Sequence, residues 1–384
     1  MRTWALPEHI EDLLPAEAAR LERMRRIALD RFEVHGYQLV VPPLLEYVES
    51  LLSGTGHDMD LATFKLVDQL SGRMIGLRAD TTPQVARIDA HILNRQGVSR
   101  LCYAGSVLHT RPVGLGKSRQ PFQVGAELYG HAGLEADLEI LALTLDVLAA
   151  LEVDGVTVDI GQPAVFRALV KSAALDAELA EQVFHAIENK DQPALYELAP
   201  RLGALAPAFA ALARLSGGAE VLEQARAQLP SDPAIAAALE PLAQLLAHFS
   251  ALGVQLSIDL AELGGFNYES GLTFAAYAAG AADAVARGGR YDEVGKAFGR
   301  ARAATGFSMD LKSLLPLVPP ADLPKAILAP ATVDAAARTA IAALRAQGHI
   351  VIARLPGHEA HVTELSCDRE LVLKDGAWQV VPLK

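Results

Sequence analysis

Apolar residues recur at helical spacing over 16–35, where Leu21, Met24, Ala28 and Phe32 share a face and Gly36 marks the stop. A strand over Gln38–Val41 follows and runs into Pro42 and Pro43, and a hairpin-like pair surrounds Asp68–Arg73. Thr82 before Pro83 reads as a helix start, a capping hydroxyl and then a proline with no N–H to lose, continuing through Val85, Ile88 and Ile92. Strands are predicted at 100–108 and 121–129 around a Gly/Lys/Arg loop, then a helix over 135–151 with Leu138, Leu141, Leu145 and Leu148 in register. From about 163 to 250 the composition turns to Ala, Leu, Glu and Gln, a helical insertion. Strand character returns at 255–259, 271–277 and 282–287. A Pro-rich linker, Pro316 to Pro324, precedes a tail that reads β-α-β-β-β over 326–329, 332–347, 350–353, 370–373 and 377–381. Strands before and after a helical block predict an α+β fold on a largely antiparallel sheet, with a core over 1–318 and a small C-terminal α/β domain over 323–384.

One strand departs from the ordinary pattern. Phe122-Gln123-Val124-Gly125-Ala126-Glu127-Leu128-Tyr129 alternates like a half-buried strand, yet its inward polar positions carry an amide, Gln123, and a carboxylate, Glu127. Burying such a pair is costly unless something binds it. Gln and Glu on one strand face suit an ammonium group, which takes one charge-assisted and one neutral hydrogen bond.

Charge narrows the partners. A net charge of −12 over 384 residues, with no Lys/Arg-rich run, gives no basic footprint for tRNA or DNA. Two cysteines, Cys102 and Cys367, make neither a disulfide framework nor a zinc site and are expected as reduced thiols. Arg2, Glu8, Glu11 and Asp12 leave no apolar signal-peptide region, and no segment offers 18 uninterrupted apolar residues, so a cytoplasmic protein without a membrane partner is expected. Gly114-Leu115-Gly116-Lys117-Ser118 fails as a phosphate loop because Arg111 stands where the first glycine belongs. His358-Glu359-Ala360-His361 spaces its histidines too closely for a zinc-protease helix, so no metal is expected there.

Five segments in order resemble the class II histidyl-tRNA synthetases across roughly residues 1–318. Arg78-Ala79-Asp80-Thr81-Thr82 is similar to that family's Arg-Pro-Glu-Gly-Thr element, and Arg100–Gly130 to its motif 2. Glu262–Phe274 is similar to the first histidine-specific motif, Gly288-Gly289-Arg290-Tyr291-Asp292 matches the second, and Gly306–Leu311 is similar to motif 3. The resemblance implies that Asp80, Thr82, Gln123 and Glu127 hold an α-ammonium, and that Tyr268 and Tyr291 lie in imidazole-binding segments. Asn267 replaces an Asp and Glu269 a Tyr, and Glu269 is a candidate partner for an imidazole.

The departures fall on chemistry. Adenylate formation develops charge at phosphorus that fixed guanidinium groups must meet. At the registers of three family arginines this chain has Leu108, Gly264 and Ser313, with Arg111 or Arg290 the available stand-ins. The tail is also shorter than an anticodon-binding domain. A histidyl core without those arginines resembles the ATP phosphoribosyltransferase regulatory subunits, synthetase paralogues of histidine biosynthesis. That resemblance implies no catalysis and no cofactor, a homodimer through the class II core, a hetero-oligomer with the short-form catalytic subunit, and allosteric feedback by histidine. The alternatives are a minimal histidyl-tRNA synthetase or an ATP-using amino-acid ligase, and a scaffold with an inert pocket.

Overall fold

The computed structural model describes residues 4–53, 57–112, 114, 117–264, 270–320, 324–331, 334–357 and 365–383. The chain divides into two units, Met1–Pro319 and Pro320–Lys384.

In the first unit the N-terminal apolar stripe forms a helix over Pro15–Val34, buried at Met24, Ala28 and Phe32. It packs with the helix Leu134–Ala150 on one face of a sheet that has nine strands among the described residues. Their spatial order is Gln38–Leu39, Ser99–Ser106, Phe122–Tyr129, Ala304–Asp310, Ala286–Arg290, Thr273–Tyr277, Thr157–Gly161, Leu256–Asp259 and Ser216–Gly217. The six strands from Ser99–Ser106 to Thr157–Gly161 run antiparallel, whereas Gln38–Leu39 and Leu256–Asp259 join in parallel.

Side chains of a strand alternate between faces. Val124, Ala126 and Leu128 therefore meet the two helices together with Phe307 and Met309, and the Phe32 and Phe307 rings stand edge-on at 5.9 Å. Gln123, Gly125, Glu127 and Tyr129 take the opposite face. The half-buried strand expected at 122–129 is instead covered on both sides, and residues 124–129 are all buried. The central strand Ala304–Asp310 escaped the periodicity because Gly306, Ser308 and Ala304 carry little intrinsic strand preference; pairing on both sides holds it.

Between 163 and 251 lie the helices Pro163–Ser172, Ala177–Glu188, Gln192–Leu202, Ala206–Leu212, Glu220–Gln228 and Pro233–Ala251. The Asp176, Asp191 and Asp232 carboxylates cap three of them. Helix Pro233–Ala251 is long and apolar enough to cross a membrane by length and composition alone. Its Ile235, Leu239, Leu242, Leu245 and Phe249 are buried against the insertion and the neighbouring strand.

The second unit has a four-stranded sheet in the order Val351–Ala353, Ala326–Ala329, Cys367–Lys374 and Ala377–Pro382. The helix Ala335–Ala346 starts on the Asp334 carboxylate, and its Ile341 packs with Ile327, Ala329, Val351 and Leu371. His358 and His361 lie outside the described residues.

Candidate functional site

The sheet face turned away from the two long helices is built in rows. Glu127 pairs with Gly306, Gly306 with Gly289, Gly289 with Thr273, and Thr273 with Gly161. Gly306 and Gly289 leave a stretch of floor between Glu127 and Thr273 on which no side chain stands. At Gly306 the emptiness is obligatory: a Cβ there would collide with Glu127 Oε2 and lie 2.7 Å from the Ala126 carbonyl. Over this floor opens a cavity of about 440 Å³, lined among others by Asp80, Thr82, His109, Glu127, Arg287 and Tyr291.

Glu127 is 1% exposed. Its Oε1 accepts from the Thr82 hydroxyl at 3.0 Å and the Tyr103 hydroxyl at 3.1 Å, and its Oε2 accepts from the Tyr291 hydroxyl. Among the described residues no ion pair reaches it. Burial therefore dominates and pushes the Glu127 carboxyl up to about 8, against the opposing pull of the Tyr291 hydrogen bond.

Asp80 lies beside it. Its Oδ1 accepts from Gln123 Nε2 at 2.7 Å and from the Thr82 amide at 3.2 Å, while Gln123 Oε1 accepts from the Thr81 amide at 3.0 Å. Gln123 thus braces Asp80 and lines a neighbouring cavity of about 210 Å³ rather than the one over the glycine floor. Asp80, Thr82, Glu127 and Tyr291 come together in the larger cavity; Tyr268 and Glu269 lie outside the described residues. The Thr82 hydroxyl is not a helix cap. Thr81 occupies that position without a side-chain bond, and Thr82 instead turns its oxygen to Glu127. The helix Thr82–Arg87 then passes into a π-helical turn over Ile88–Leu93.

Leu108, Gly264 and Ser313 are short or apolar. Gly264 lines the large cavity, Ser313 donates to Asp310 Oδ2 at 2.6 Å, and the Leu108 amide donates to the Arg78 carbonyl at 2.9 Å. Arg290 points to the helix side of the sheet, where it pairs with Asp137 at 2.8 Å and donates to the His131 and Gly133 carbonyls. Arg111 is exposed. Arg78 is spent on the backbone, donating to the carbonyls of Ser106 at 2.9 Å and Pro42 at 3.1 Å.

Three residues of the site were missed by sequence reasoning. Tyr103 is 1% exposed, and a Cβ on Gly125 would collide with its hydroxyl, so the mid-strand glycine was the available signal. His109 gives Nε2–H to the Ala79 carbonyl at 2.8 Å, and its buried Nδ1 has no hydrogen-bond partner among the described residues. Arg287 shares a strand face with Gly289 and Tyr291 by simple alternation, the signal that would have found it.

Comparison with known proteins gives this geometry a family. The family model for histidyl-tRNA synthetase matches residues 9–314, and that for the ATP phosphoribosyltransferase subunit HisZ C-terminal domain matches residues 324–381. An ATP phosphoribosyltransferase regulatory subunit from Ralstonia nicotianae is 56% identical over 385 residues, covering 100% of this chain and 99% of the relative. The chain belongs to the ATP phosphoribosyltransferase regulatory subunits. A regulatory subunit from Paraburkholderia xenovorans is 55% identical over 383 residues, with 100% of each chain covered. Among solved structures, an ATP phosphoribosyltransferase regulatory subunit/histidyl-tRNA synthetase from Bacillus halodurans superposes with a TM-score of 0.82 at 24% identity, covering 94% of this chain and 96% of that one. A histidyl-tRNA synthetase from Nostoc superposes with a TM-score of 0.77 at 18% identity, covering 99% and 97%. These structures share the class II synthetase fold. The relatives and the match over 324–381 decide for a regulatory subunit of this family over a minimal synthetase.

Proposed function

We propose that the chain is a non-catalytic subunit that senses histidine for a short-form ATP phosphoribosyltransferase catalytic subunit. The observation that carries this is Glu127, a buried carboxylate ringed by three hydroxyls at the end of a glycine floor. An arriving ammonium displaces the proton of Glu127 and gains a charge-assisted bond in a site shielded from water. Asp80, braced by Gln123, shares the ammonium; Tyr291 frames the imidazole, with Tyr268 and Glu269 as its further partners. Leu108, Gly264 and Ser313 leave the site without the guanidinium groups that adenylate chemistry requires. Histidine binding then favours one quaternary state of the complex, and that differential affinity constitutes the allosteric control.

Exposed Leu39, Val41, Leu44, Leu45, Val67 and Met74 support a homodimer through this edge of the core. A cytoplasmic complex fits this role. The experiment is to mix the chain with a short-form catalytic subunit and follow phosphoribosyl-ATP formation. Activation on mixing that histidine reverses supports the reading, activation without a histidine response selects an inert scaffold, and no activation overturns it.

A further inference from the structure

The cavity over the glycine floor has two unlike ends, one with carboxyl groups and one where Glu262, also in the lining, is paired with a guanidinium. Glu127 and Asp80 stand at one end. At the other stands Arg287, the only Lys or Arg among the described residues that line it. Arg287 sits one row from the floor, across from Ser308 and Ala275, on the same strand face as Gly289 and Tyr291. From Glu127 to Arg287 the path crosses two strand spacings and two residues along, about 12 Å between Cα atoms by standard sheet geometry. The Cα separation is of the order needed to place an α-amino acid between a carboxyl at one end and a guanidinium at the other.

We propose that Arg287 anchors the ligand's α-carboxylate and makes the cavity selective for an amino acid over the corresponding amine, a proposal that rests on the histidine-sensing reading above. The guanidinium is already oriented: Nη1 lies 3.0 Å from Glu262 and Nη2 lies 3.3 Å from Asp283. Those bonds use part of its five donors, and a side chain 50% exposed has room to present the rest. Gly264 and Gly289, both lining the cavity, leave the approach to it open. A planar fork matched to a carboxylate is what an amine or an alcohol analogue cannot use.

Calorimetric titration of the full chain tests this with L-histidine, histamine, which lacks the carboxylate, and imidazolepropionate, which lacks the ammonium. Wild type is expected to prefer histidine over histamine by roughly tenfold to a hundredfold, the range of a hydrogen-bonded charge. R287A should bind histidine as weakly as histamine while leaving histamine unchanged, and R287K should recover only part of the difference. Should R287A fail to fold, R287Q, which keeps a polar donor but no charge at that position, carries the same expectation. A histidine preference that survives in the variants overturns the anchor and leaves the histidine reading standing. Failure of wild type to bind histidine overturns both.

Discussion

Tyr291 donates its hydroxyl to Glu127 across the strand that separates them, although the two residues are 164 positions apart in the chain. Gly306, opposite Glu127 on the strand between them, has no side chain, so the carboxyl lies over the backbone and reaches the Tyr291 hydroxyl from the next row.

Gly306→Ala should therefore remove histidine responsiveness altogether. The new Cβ would occupy the space of Glu127 Oε2, and the neighbouring Ala126 carbonyl cannot yield. The check is histidine binding together with a thermal melt; a variant that binds with wild-type affinity would show that the carboxylate lies elsewhere in solution.

Glu127→Ala should weaken histidine binding and feedback by roughly tenfold to a hundredfold, the loss of a hydrogen bond to a charged group. Dose–response curves for histidine on the assembled complex measure it. Unchanged inhibition would move the effector site elsewhere, for instance to a subunit interface.

Proton uptake should be linked to this site. The Glu127 carboxyl, ordinarily near 4.5, is pushed up to about 8 by burial, so the folded chain holds a proton there that the unfolded chain has lost. Between those values the folded state binds more protons, and the contribution of Glu127 to stability falls as pH rises from about 4.5 through about 8. Binding an ammonium at pH 7 should expel up to about one proton per site. Calorimetry in buffers of different ionisation enthalpy reads the number directly; no buffer dependence would mean an already ionised carboxylate.

Stability should depend heavily on Asp89 and Arg302. Arg302 Nη1 lies 3.1 and 3.0 Å from the two Asp89 oxygens, with both side chains buried, and it also donates to the Arg95 and Gly97 carbonyls. Arg302→Ala leaves the Asp89 charge uncompensated and should cost about 3–5 kcal/mol. Urea denaturation measures the loss, and a change below about 1 kcal/mol would mean that water replaces the guanidinium.

Histidine-dependent exchange of pyrophosphate into ATP should be absent. Arg290, one of the two candidate stand-ins, is committed to Asp137 on the opposite face of the sheet. Exchange at a rate comparable to a synthetase would restore the enzyme reading.

Much of the site was visible before any coordinates because its chemistry is written in short segments. Gln123 and Glu127, four positions apart on one strand, share a face by alternation alone, and Asp80 and Thr82 flank a helix start. What those residues do to one another was not visible. The Thr82 hydroxyl reads as a helix cap from local sequence and goes to Glu127 because the sheet brings that acceptor within 3.0 Å. Gln123 reads as a ligand contact and serves as a brace for Asp80.

Sequence by itself determined the elements with strong periodicity, the helix that buries Met24, Ala28 and Phe32 among them, since side-chain spacing is a local property. Only tertiary structure decided the strand order that interleaves Ala304–Asp310 between Phe122–Tyr129 and Ala286–Arg290, because pairing partners lie far apart in the chain. That order aligns Glu127, Gly306 and Gly289 into a row, buries Glu127 enough to push its carboxyl up, and puts Arg287 in the lining of the same cavity. Burial and cross-strand register are properties of the assembled sheet, and no run of residues encodes them alone.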